Sequence, residues 1–166
     1  MVFAYYNRLT ERQKSIYRQS DAIRHITLPI VLELQLFSKN LKNHLQKEDQ
    51  KETQIVAQRI TNNINNQLKA PPITIEILAV RPSDDWGELH GLYLPEDGSS
   101  KAKIQLWMRT AKHKKVVAFK SFLRTLLHEI CHHIDYEVYN FPETFHTEGF
   151  YNRESSLFKQ LVPDNN

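Results

Sequence analysis

An α+β fold is predicted by three features of the sequence: helical periodicity up to Ala70, alternating strands between Ile73 and Met108, and two further helical stretches beyond them. The expected layout is N-terminal helices over residues 1–70, then a small β-sheet, a long central helix and a C-terminal helix over residues 71–166. A chain of 166 residues suits one compact domain with a core and is short for two. Only 4 glycines argue against an all-β chain with many tight turns.

Thr10-Glu11-Arg12-Gln13 has the form of a capping box and predicts a helix from about Thr10 to Ser20. Thr27 before Pro29 suggests the next helix start. Ile30, Leu34, Phe37, Leu41 and Leu45 then recur at spacings of three and four, and Val56, Ile60, Ile64 and Leu68 make a third stripe. Both stripes are read as core faces. Ala70-Pro71-Pro72 ends the helical half.

Ile73, Ile75, Ile77 and Ala79 alternate with Thr74, Glu76, Leu78 and Val80, which predicts a strand. Arg81 to Trp86 reads as a loop, Leu89 to Leu94 as a second strand and Pro95 to Ser100 as a turn. In Lys103 to Met108, Ile104, Leu106 and Met108 share one face. A long helix is expected from about Lys115 to Tyr136, with Phe119, Leu123, Leu126, Ile130 and Ile134 as its core stripe. Asn140-Phe141-Pro142 breaks it, and a last helix runs from Thr147 or Glu148 to Leu161.

Composition narrows the function classes. Hydrophobic residues make up 40% and charged residues 25%, the balance of a folded chain. No stretch approaches the roughly 18 apolar residues that cross a membrane. The N-terminus lacks the basic stretch and apolar run of a signal peptide, so a cytoplasmic place is expected. The one cysteine, Cys131, excludes an intramolecular disulfide and a four-cysteine zinc ribbon. The net charge of +3 is read as a solvated surface; Lys112-His113-Lys114-Lys115 is the densest basic cluster and too short to carry a nucleic-acid assignment alone.

The chemistry concentrates in His128-Glu129-Ile130-Cys131-His132. Histidines four apart leave one face of a helix, and two such imidazoles can hold one Zn²⁺ at about 2.0–2.1 Å. Glu129, next to the first histidine, is placed to act as general base on a metal-activated water. A catalytic zinc needs a third protein ligand. Phe145-His146-Thr147-Glu148-Gly149-Phe150 follows the helix break and offers His146 and Glu148, with Glu143 a lesser candidate.

This pattern resembles the SprT-like zinc metallopeptidases: HExxH, a gap, then His-x-x-x-Phe opening another helix. The matching residues are His128, Glu129, His132, His146 and Phe150. The resemblance extends in layout over roughly residues 73–161. It implies a zincin fold, a catalytic Zn²⁺ on His128, His132 and His146, and hydrolysis of peptide bonds in a peptide or protein substrate. In some members that substrate is protein on DNA, which makes DNA a possible contact. Two departures stand out: Thr147, not Gly, follows His146, and a single cysteine cannot build the C-terminal zinc ribbon of many members. The alternative class is a non-catalytic zinc-containing module that binds nucleic acid or protein.

Neighbouring residues have plainer readings. His133 turns away from the ligand face, as a surface residue or as support for a ligand. Asp135 is a candidate acceptor for the free N–H of a ligand histidine. Cys131 reads as a packed small hydrophobe. Tyr151 is the first candidate among Tyr136, Tyr139 and Tyr151 for oxyanion stabilisation. Arg153 and Glu154 read as a surface pair. His90 and Gly91 are expected near the cleft, with the strand Ile104 to Met108 at its edge for an extended peptide to join.

Overall fold

The computed structural model describes residues 2–163. A 3₁₀ turn (Ala4–Arg8) leads into helix α1 (Glu11–Ala22). The capping box is present: the Thr10 hydroxyl accepts from the Gln13 amide, and the Gln13 side chain accepts from the Thr10 amide.

Helix α2 (Leu32–Gln46) begins later than Thr27-Pro29 suggested. The reason is tertiary. The amides of Ile26, Leu28 and Ile30 donate to side chains of Ser156, Gln160 and Gln67. Each alternate N–H therefore has a partner without helix formation. Leu34, Leu41 and Leu45 are buried as the stripe implied, whereas Ile30 is 66% exposed. Helix α3 (Gln50–Leu68) is capped by Asp49 and buries Val56, Ile60 and Ile64. It ends at Lys69, whose φ of 58° is left-handed, just before the two prolines.

The principal sheet has the order β1-β5-β4. Strand β1 (Thr74–Val80) runs parallel to β5 (Lys103–Arg109), and β4 (Gly91–Leu94) runs antiparallel to β5. Ile75 lies beside Ile104 and Ile77 beside Leu106, and all four are buried. The segment expected as a loop forms a two-strand hairpin instead, β2 (Ser83–Asp84) with β3 (Gly87–Glu88). Trp86 sits at its tip, 94% exposed. Because β5 is central, it is not the cleft-edge strand; that place falls to β4.

Helix α4 (Phe119–Glu137) starts four residues later than the periodicity predicted. The segment before it folds against β5: Val117 donates to the Met108 carbonyl and Arg109 bridges Val116. Leu123, Leu126, Leu127 and Ile130 have no exposed surface, each contributing about 1.5–3 kcal/mol of burial. Asn140 takes φ 57°, the Tyr139 amide returns to the Ile134 carbonyl, and the chain reverses. That reversal carries residues 144–146 back beside α4.

Helix α5 (Glu148–Leu161) is capped by Thr147, whose hydroxyl accepts from the Phe150 amide at 2.9 Å. A side chain at Gly149 would run into the Asp21 backbone at the end of α1, so this position calls for glycine. One apolar cluster joins α2, α3, the sheet, α4 and α5, and α1 packs on α5. Among the described residues no helix is long and apolar enough to cross a membrane.

Candidate metal centre

The four-residue spacing on α4 directs His128 and His132 to one face, and the reversal at Asn140 brings His146 over them. Their Nε2 atoms form a triangle with sides of 3.1 Å (128–146), 3.3 Å (128–132) and 3.0 Å (132–146). Nitrogens bound tetrahedrally at about 2.0–2.1 Å stand roughly 3.3 Å apart. Among the described residues these three histidines form a group that can hold a metal ion.

The outer ring nitrogens decide the protonation. His128 Nδ1 lies 2.7 Å from Glu154 Oε1, and a carboxylate can only accept. His132 Nδ1 lies 2.9 Å from Thr144 Oγ1. The Thr144 hydroxyl spends its own proton on Asp135 Oδ2 at 2.7 Å, so it accepts from His132. Both Nδ1 atoms therefore carry protons, and a neutral ring at either position presents its Nε2 lone pair to the same point. A proton on His146 serves only one of them; a cation serves all three. Burial, with His128 and His146 beside it, pushes His132 down to about 3, so the ring is an uncharged donor at neutral pH. Burial also lowers His146. The donor set and its hydrogen bonds fit a metal ion held by imidazole.

Phe150 forms the floor. Its fully buried ring lies 5.0, 4.8 and 5.2 Å from the rings of His128, His132 and His146, centroid to centroid. It limits the imidazoles to their converged orientations.

Glu129 is 7% exposed and lines the same cleft of about 620 Å³. Burial pushes its carboxyl above the ordinary range, against the pull of the neighbouring His128. A side chain at Gly91 would meet Thr125 Cγ2 at 2.6 Å and Glu129 Oε1 at 3.1 Å. Glycine thus lets β4 approach the face of α4 that carries Glu129. His90, Gly91, Leu92 and Tyr93 all line the cleft.

Several expectations need correction. His133 is no surface residue: it is 1% exposed, takes the Tyr93 hydroxyl on Nδ1 at 2.8 Å and donates from Nε2 to the Pro71 carbonyl at 2.8 Å. It fixes Tyr93, which stacks on His132. Asp135 reaches His132 through Thr144 rather than directly. Arg153 and Glu154 do not pair with each other. Arg153 is fully buried and binds Asp135 Oδ1 at 3.0 Å, while Glu154 accepts from His128. Their adjacency on α5 sends them to opposite partners on α4. Glu148 pairs with Arg24 at 3.3 Å and Glu143 accepts from Gln13, so neither belongs to the histidine group. Cys131 is buried at 1%, in keeping with a packed hydrophobe. Tyr151 is 40% exposed, with its ring 5.7 Å from that of His146.

Sequence reasoning did not assign Thr144, Glu154 or Tyr93 to the site. For Glu154 there was a signal: it lies four after Phe150, on the same helical face. Comparison with protein-family models, curated proteins and solved structures found no match to this chain.

Proposed function

We propose that this chain is a zinc-dependent peptidase of the SprT-like zincin type, with His128, His132 and His146 as metal ligands and Glu129 as general base. The observation that carries the reading is the convergence of the three Nε2 atoms, with the Nδ1 protons of His128 and His132 committed to Glu154 and Thr144. Three imidazoles leave a fourth position for a reacting molecule, as catalytic rather than structural zinc sites do. A buried carboxylate in the same cleft supports catalysis over simple binding.

When bound, Zn²⁺ supplies a Lewis acid that polarises a carbonyl and makes water acidic near neutral pH. This chain's residues do the rest. Glu129 takes the proton of the attacking water and delivers it to the leaving amine. Its raised proton affinity, from burial, suits both halves of that transfer. Glu154 and the Thr144–Asp135 pair hold the imidazoles in the ligating tautomer. Among the described residues strand β4 has one strand neighbour, β5, and residues 91–93 line the cleft. An extended peptide adding along β4 passes Glu129 on its way.

Metal removal tests this reading. Hydrolysis of an unfolded protein or an unstructured peptide is expected to vanish on treatment with a strong zinc chelator and to return on adding Zn²⁺ to the dialysed protein. Hydrolysis that survives complete chelation would refute metal catalysis. A zinc-loaded protein that cleaves nothing across a diverse peptide library would transfer the assignment to a binding module.

A further inference from the structure

His128 and His132 ride on α4, but His146 comes from the connection between α4 and α5. A ligand from such a segment needs its backbone held. The hold comes from far away in sequence: the Tyr5 hydroxyl donates to the His146 carbonyl oxygen at 2.9 Å. Tyr5 is itself fixed. Its ring meets that of Tyr17 edge-on at 5.6 Å. Tyr17 is fully buried, accepts from the Phe3 amide at 3.0 Å and lies 6.2 Å from the ring of Phe145, the residue before His146. Phe3 in turn meets Tyr151 edge-on at 6.2 Å. The N-terminal aromatic residues thus touch His146 through Tyr5 and reach residues before and after it in sequence, Phe145 through Tyr17 and Tyr151 through Phe3.

We propose that this segment is a metal-retention strap, with Tyr5 the positioning residue that holds His146 over the other two ligands. The proposal rests on the three-histidine reading above. It assigns a role to the first residues of the chain, which no feature of the HExxH motif explains. Releasing one carbonyl leaves His146 more conformations to lose on binding, so the cost falls on metal affinity rather than on the fold.

Zinc affinity is measured by competition with a chromogenic chelator on the full chain, for wild type, Tyr5→Phe and Tyr6→Phe. The Tyr6 hydroxyl serves Arg18 and not His146, so Tyr6→Phe reports general loosening of the segment. Melting temperatures of the metal-free proteins and absorption spectra of the Co²⁺-loaded proteins accompany the titrations. Loss of one hydrogen bond on the ligand backbone is expected to weaken Zn²⁺ binding roughly five- to tenfold in Tyr5→Phe. The Co²⁺ spectrum should change, the metal-free melting temperature should not, and Tyr6→Phe should match wild type. Unchanged zinc affinity in Tyr5→Phe would overturn the strap alone, as would equal losses in both variants or a loss accompanied by lower metal-free stability. A wild-type protein without zinc affinity would overturn the three-histidine reading and the strap with it.

Discussion

Exchanging Glu129 for Gln is expected to leave the protein folded and zinc-loaded while lowering peptide hydrolysis roughly 10²- to 10⁴-fold. The two side chains have nearly the same shape, so the close packing of position 129 against Gly91 is kept. What Gln lacks is a lone pair able to take a proton and return it. The histidines keep their partners Glu154 and Thr144, so metal content should stay at the wild-type level. Single-turnover hydrolysis beside elemental analysis of the same sample separates the two properties. An active Glu129→Gln protein would remove the general base from the mechanism, and a metal-free one would show that Glu129 acts on metal retention instead.

The largest stability effect is expected at Arg153. Arg153 Nη1 serves the carbonyl groups of Ser20 and Ile23 at the end of α1, and Nη2 serves Asp135 and the Ser20 hydroxyl. Helix α1 points its negative end at the guanidinium, which α4 balances with a carboxylate. Arg153→Leu strands the Asp135 charge at zero exposure, and breaking such a buried pair costs about 3–5 kcal/mol. For a chain of this size that lowers the melting temperature by roughly 6–20 °C. Adding Asp135→Asn should recover part of the loss, because the stranded group is then uncharged. Urea unfolding of the metal-free proteins measures both effects, and an Arg153→Leu protein as stable as wild type would contradict them.

The sequence made the helical stripes and the ligand face legible because both depend on local periodicity. His128 and His132 needed only the pitch of one helix. The proximity of His146 needed only a chain reversal, which Asn140 and Pro142 announce. The misplaced boundaries share a different cause. Residues 26–31 and 115–118 lack helix because distant side chains and the β5 backbone take their hydrogen-bonding groups. No local pattern encodes such capture. The same holds for sheet order: β5 comes last of the strands in sequence yet lies in the middle, which moves the cleft edge to β4.

Arg153 and Glu154 illustrate the point most sharply. Adjacent opposite charges suggest a solvent-exposed pair. Neighbours on a helix diverge by about 100°, however, and here each finds a separate partner on α4. One supports His128 and the other supports Asp135, which supports Thr144 and His132. The polar network behind the histidines is a tertiary property, and α5 supplies much of it.

The most direct test of the central claim is the zinc content of untagged protein, wild type beside His146→Ala and Glu148→Ala. The three-histidine centre predicts about one zinc per wild-type chain, retained in Glu148→Ala and lost in His146→Ala. Wild-type protein that takes up no zinc even when it is offered, or that loses zinc with Glu148→Ala and keeps it with His146→Ala, would contradict the centre.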